Sequence, residues 1–407
     1  MARTVAELPK GSRITDHISL GVIAKCFPRE LVDRILEETG KSSRRERALP
    51  APVMVYYGIA MALFMQVSCR EVLRCLLEGL QWLSGSFQPV SAATRGGIAQ
   101  ARSRLHEAVV APIAVNEPER RTRGAWYRGW RLTTLDGSSL DVADTAKNAA
   151  AFGRPGASRG QSAYPQLRFV SLVENGTHVL FGSQMGPYAA SETTLARAAL
   201  GRLKPGMLCM ADRLFFGYEL WNEARATGAD LLWRVKKNQI LPRLGPLSDG
   251  SFVSKIYPSD KARRHDVDGV EVRVIEYTME GLDDAEPLYR LVTTIFDPQA
   301  APAEELAALY HERWEIENAL DEFKTHLRGG QIVLRSKTPD LVEQEFYGLM
   351  MAHFAVRGLM HEAALKGDVD PDRLSFVHSV RVIRRKLATF AALPPSGKTG
   401  FAPGRPG

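Results

Sequence analysis

"GMLCMADRLFFGYELWNEARATGADLLWRV", Gly206 to Val235, reads as a turn, a short buried strand, a helix that stops at Gly228, and a further strand. Working outward, "WRLTTLDGSSLDV" (Trp130–Val142) is rich in β-formers. "LRFVSLVENGTHVLFGSQ" (Leu167–Gln184) reads as two strands around a two-residue hairpin at Asn175-Gly176. "SETTLARAALGRL" (Ser191–Leu203) is a helix with Ser191 as its cap. The order β-β-β-α-β-α-β predicts an α/β fold, a mixed sheet with helices on its faces. "FVSKIYP", "VEVRVIEYTM" and "LYRLVTTIF" then break the alternation and predict an all-β insertion.

The first hundred or so residues read as helices joined by short turns. The last of them carries Arg102 and Arg104 and follows the capping loop "SAATRGG". A helix-turn-helix and a helical bundle with an exposed basic face fit this segment about equally well. The longest apolar run, Val53 to Val67, falls short of the ~20 residues that span a bilayer, so it predicts a buried helix and no membrane partner. "PPSGKTGFAPGRPG" is a Pro/Gly-rich end expected to be disordered, and it lacks the glycine a phosphate-binding loop would need.

A net charge of +7 favours an anionic partner, nucleic acid first. Cys26, Cys69, Cys75 and Cys209 show no metal-binding spacing, which predicts a reducing, cytoplasmic setting without structural zinc.

Two carboxylates close strands: Asp136 ends "RLTTL", and Asp212 ends "MLCMA". Ligand sites in open sheets gather at strand ends. A third acid comes from "LYHERWEIENALDEFKTHLRGG", Leu309–Gly330. At ~100° per residue, Leu309, Ile316, Leu320 and Phe323 form an apolar stripe. His311, Glu312, Glu315, Asn318 and Glu322 fall on the solvent side, and Tyr310, Arg313, Glu317 and Lys324 share a wedge of roughly 60° between the two faces. Asp136, Asp212 and Glu317 are hard oxygen donors with no His or Cys about them, a set suited to two Mg²⁺ (or Mn²⁺) ions acting on a phosphodiester. Taken singly, each acid reads as well as a turn cap, a helix cap or a surface charge. Asp141 and Asp144 are rival ligands. Arg313 and Lys324 are read as phosphate contacts and Tyr310 as a hydroxyl or stacking face, with Arg213 grouped beside them.

Tyr310-x2-Arg313-x3-Glu317-x6-Lys324 resembles the signature of the insertion sequence 4 family of DDE transposases. "TTLDGSSLDVADTAKNAAAFG" is similar to the family's first-aspartate block, and the opening stretch to its second. "DHISLGVIAKCFPRELVDRIL" is similar to its N-terminal domain. The resemblance implies an RNase H-like catalytic core with an inserted β-rich subdomain and an N-terminal all-helical domain. The expected divisions are a DNA-binding domain over 1–115, the core over 125–236 and 297–390, the insertion over 237–296 and a tail over 391–407. It also implies Mg²⁺-dependent cut-and-paste transposition through a DNA hairpin, by a homodimer that holds two terminal inverted repeats and then joins them to target DNA. In that reading Asp136, Asp212 and Glu317 are catalytic metal ligands, and Tyr310, Arg313 and Lys324 contact DNA. A decayed or domesticated DNA-binding protein, a nuclease that cuts without joining, and (remotely) a glycosidase are the alternatives.

Overall fold

A computed structural model describes residues 26–42, 49–83, 94–105, 123–157, 160–161, 164–278, 288–329 and 333–390. The expected tail over 391–407 lies outside them. The chain forms two compact units: Val115–Asp321 with Asp368–Asp372, and the remaining segments.

The first unit is built on a ten-stranded sheet. Its strands are β1 (Trp126–Tyr127), β2 (Trp130–Asp141), β5 (Gln166–Glu174), β6 (Val179–Pro187), β7 (Met207–Ala211), β8 (Asp230–Arg234), β9 (Gly245–Pro246), β10 (Phe252–Ile256), β11 (Val270–Tyr277) and β12 (Tyr289–Thr293). Two further strands, β3 (Gly156–Ala157) and β4 (Gly160–Gln161), form a small separate ribbon. The order across the sheet is β6-β5-β2-β7-β8-β12-β11-β10-β9, with β1 on β2. Only β2, β7 and β8 run parallel. All five residues of β7 are buried, as a central strand covered on both faces must be.

Side-chain alternation sorts β7 onto two faces. Cys209 and Ala211 join Leu135, Leu195, Ala199, Leu220 and Trp221, so the helices Glu192–Leu200 and Tyr218–Ala226 cover that side. Leu208 and Met210 join Leu132, Leu306, Leu309 and Tyr310 from the helix Ala303–His311 on the other. Ser191 caps its helix as expected, accepting from the Thr194 N–H at 3.1 Å.

The insertion is β-rich as expected and continues the same sheet: β12 pairs with β8, and β9–β11 extend it. The hairpin at Asn175 has a four-residue connection, since Glu174 pairs with Val179. Its Asn175-Gly176 is used for docking: Asn175 Oδ1 accepts from Thr134, and a Cβ on Gly176 (φ 76°) would stand 2.5 Å from Arg123 O. A further helix, Ala146–Phe152, is capped by Thr145, whose side chain accepts the Asn148 N–H.

The second unit is helical. Helices Ala51–Leu63 and Pro339–Gly367 cross so closely that a Cβ on Gly348 would lie 2.5 Å from Gly58 O. The apolar run is a buried helix, and among the described residues no helix is long and apolar enough to cross a membrane. Arg102 was read as part of a basic face, but it is buried in this unit, donating to Leu341 O at 2.7 Å and Ser336 Oγ at 3.1 Å. Segment Glu322–Gly367, expected with the sheet, clusters with the N-terminal helices.

Candidate active site

The parallel register brings the two aspartates together. Leu135 of β2 is opposite Ala211 of β7, where their pairing ends. Asp136 and Asp212 are each the next residue, so they start ~4.8 Å apart at the backbone and share one face by alternation. That face is the one covered by Leu306, Leu309 and Tyr310. β2 itself runs on to Asp141 beside β5, so Asp136 sits within a strand and caps no turn. The helix after Asp212 begins only at Tyr218 with Gly217 in the cap position, so Asp212 is no helix cap. The rivals are engaged elsewhere: Asp141 accepts from Gln166 at 2.7 Å, and Asp144 pairs with Arg154.

Glu317 reaches this place through Arg313. The guanidinium lies 3.8 Å from Asp136 Oδ2 and 3.6 Å from Glu317 Oε1, too far for hydrogen bonds and close enough to act as a shared counter-charge. Arg313 is buried, whereas Glu317 is 48% exposed. Tyr310 is buried beneath the end of β7, its hydroxyl donating to Ala211 O at 3.3 Å, so its ring offers no stacking face in this conformation. Burial pushes its phenol up, against the pull of Arg313. Trp314, beside Arg313 and 59% exposed, does offer an aromatic face. Arg213, next to Asp212, is half-buried.

The helix is not uniform, and this changes the rest of the wheel. A 3₁₀ turn, Glu312–Trp314, and a π turn, Glu322–His326, interrupt it. The apolar stripe is buried as read. Glu322, placed in solvent by a constant 100° step, is instead buried against Arg357 and His353 in the helical unit. The 3₁₀ turn before Glu322 and the π turn that Glu322 opens both depart from the 100° step. Lys324 is on that turn, half-buried, with no ion pair among the described residues.

Burial drives the Asp136 carboxyl up to about 6, with Glu192 and Asp212 adding to the rise and the Gly137 N–H and Arg313 opposing it. Glu192 is a fourth acid that no sequence signal singled out; a Cβ on Gly137 would be 3.1 Å from its carboxyl carbon. Asp212 Oδ1 is buried without a hydrogen-bond partner among the described residues. Carboxylates around one shared arginine, with one buried oxygen that lacks a donor among the described residues, suit a divalent-cation site of oxygen donors. Even so, these three acids are not drawn tightly together. Among the described residues, the group of three whose ligand atoms all lie within 4.8 Å is His178, Glu315 and Asp372. Sequence reasoning missed it because its members come from three distant segments.

Residues 129–355 match the family Transposase DDE domain, more than half of the chain. Residues 17–113 match Insertion element 4 transposase N-terminal. The chain belongs to the insertion sequence 4 family of DDE transposases. The chain is 29% identical over 381 residues to Transposase InsG for insertion sequence element IS4 of Escherichia coli (strain K12), covering 90% of this chain and 82% of that one. It is 24% identical over 221 residues to Putative transposase InsZ of the same strain, covering 53% and 71%. A solved piggyBac transposase synaptic complex with hairpin DNA is 11% identical with a TM-score of 0.44, covering 94% of this chain and 82% of that one. This chain is a transposase built on a mixed α/β sheet, and its family generally uses a divalent metal. Nothing favours the decayed alternative.

Proposed function

We propose that this transposase moves its insertion sequence by Mg²⁺-dependent cut-and-paste chemistry, with Asp136, Asp212 and Glu317 as the catalytic set. The observation that carries the reading is the register: Asp136 and Asp212 both follow the last parallel pair, and Arg313 links Asp136 to Glu317. The three carboxylates would hold two Mg²⁺ (or Mn²⁺) ions, which activate a water or 3′-hydroxyl and stabilise the leaving oxygen.

Arg313, sharing its charge between two carboxylates without hydrogen-bonding either, turns to a DNA phosphate when cations take over those acids. Trp314 supplies a stacking face beside it. Tyr310 keeps the end of β7, and so Asp212, in place. Lys324 and Arg213 add phosphate contacts. Together these groups nick the 3′ end, hold the hairpin and join the freed end to target DNA, within a homodimer on paired terminal inverted repeats in a bacterial cytoplasm.

The test is cleavage of DNA carrying the inverted repeats that flank the gene, with and without Mg²⁺. Asp136→Asn, Asp212→Asn and Glu317→Gln should each bind this DNA and leave it uncut. A variant cutting at the wild-type rate takes its residue out of the set. Products in which the released end joins a target plasmid separate a transposase mechanism from a simple nuclease.

A further inference from the structure

We propose that His178, Glu315 and Asp372 form a second cation site, one that takes a divalent transition-metal ion and is separate from the Asp136–Asp212–Glu317 set. The three residues come from the β5–β6 connection, the start of the Glu315–Asp321 helix and the Asp368–Asp372 segment, all within the sheet unit. One ligand atom from each lies within 4.8 Å of the others. Three donors bound at 2.0–2.2 Å to one tetrahedral ion stand roughly 3.3–3.6 Å apart, so the cluster needs to close by at most about 1.5 Å.

The orientation of each donor supports the assignment. The His178 side chain is only 5% exposed, and its Nε2 lies 3.2 Å from Asp372 Oδ1. Glu315 Oε2 accepts the Gly176 N–H at 2.6 Å, which fixes the carboxylate beside the hairpin connection. Asp372, at 32% exposure, gives the site a side open to water. Glu312 and Asp370 stand near enough to add to the negative field at Glu315. A divalent ion held by the three side chains would offset that field. The imidazole decides the class of ion: one nitrogen with two carboxylates suits Zn²⁺ or Mn²⁺, while Mg²⁺ and Ca²⁺ favour oxygen alone.

The test uses full-length protein in which Asp136→Asn, Asp212→Asn and Glu317→Gln remove the other acids, so its outcome is independent of the catalytic reading. After chelator dialysis, titration with Zn²⁺ should load one ion per chain, and tenfold excess Mg²⁺ should not displace it. Mn²⁺ in the same protein should show nitrogen coupling from one imidazole in pulsed electron paramagnetic resonance. Adding His178→Ala or Asp372→Ala should weaken Zn²⁺ binding at least tenfold and, for His178→Ala, erase the nitrogen coupling. The partly exposed Asp372 keeps the test usable if the buried His178 variant misfolds. No bound Zn²⁺, unchanged affinity in Asp372→Ala, or Mn²⁺ without nitrogen coupling would each overturn the site and leave a proton as the occupant of the cluster.

Discussion

Glu315 and Glu317 are two residues apart on one helical turn, and each serves a different group of acids. Two residues is ~200° of helix, so the side chains face opposite ways. Glu317 meets Arg313 and, through it, Asp136; Glu315 meets the hairpin connection and His178. The Glu317 group is open and carries an arginine that can be exchanged for metal and DNA. The Glu315 group gathers around a buried imidazole, with Asp372 on its water side. Chemistry on a large substrate needs the first kind of cluster, and holding a helix against a loop needs the second.

The comparison breaks most visibly at the open cluster. Asp136→Asn, Asp212→Asn or Glu317→Gln should lower cleavage by on the order of a thousandfold or more, ~4 kcal/mol of barrier. His178→Ala and Asp372→Ala, in the imidazole cluster, should not approach that loss. Rates on end-labelled repeat DNA measure the contrast, and equal losses would merge the two clusters into one site.

Arg313→Ala should come next, with a loss of roughly ten- to a hundredfold concentrated after the first nick. It should also move the Asp136 carboxyl in the metal-free protein: burial raises it to about 6 and Arg313 opposes the rise, so removing the guanidinium pushes it higher. Arg313→Lys should restore it in part, and an NMR titration of the metal-free variants that finds it unmoved would detach Arg313 from Asp136.

Stability should respond with the opposite sign. The Asp136 carboxyl is raised from 3.8 to about 6 in the folded protein. Its protonated form is therefore favoured by folding; that contribution is present below about pH 4 and is lost as pH rises through about 6. Metal-free Asp136→Asn should melt a few degrees above wild type at pH 8 and level with it at pH 4, for a difference of on the order of 1–3 kcal/mol. The Glu315 carboxyl, raised to about 8 mainly by burial, extends the same loss to higher pH. Arg102→Ala, in the helical unit, should cost about 1–3 kcal/mol by leaving Leu341 O and Ser336 Oγ without their donor. Its DNA binding should keep the wild-type salt dependence, because that guanidinium is structural.

How far the sequence carried these readings depended on whether local pattern decided the outcome. The apolar strand Met207–Ala211, the Ser191 cap and the apolar stripe Leu309–Phe323 are local, and all were legible. The approach of Asp136 to Asp212 depends on β2 and β7 pairing in one register, which strand-end position anticipated and spacing alone could not. Arg102, Glu322 and Asn175 were misread for one common reason. Each is a polar residue whose partner is far away in sequence: Leu341, Arg357 and Thr134. A helical wheel or turn rule places such residues in water, whereas burial with a partner is equally compatible with the local pattern.

The smallest expected effect belongs to Lys324, and it tests what the wheel got wrong. The constant-step wheel put this lysine beside Arg313, but the π turn puts it on a differently rotated stretch in the helical unit. Half-buried and without an ion pair among the described residues, it has its charge available for a phosphate. One phosphate contact contributes about one counterion to the salt slope. Lys324→Ala should therefore weaken binding of repeat DNA a few-fold, lower the slope of log affinity against log salt by about one, and leave the melting temperature within a few degrees of wild type. Lys324→Arg should restore the slope because it restores the charge. The measurement is a salt series of binding constants for the three proteins beside their melting curves. If the slope holds while the melting temperature falls, Lys324 serves the π turn and the DNA contact passes to Arg213 and Arg313.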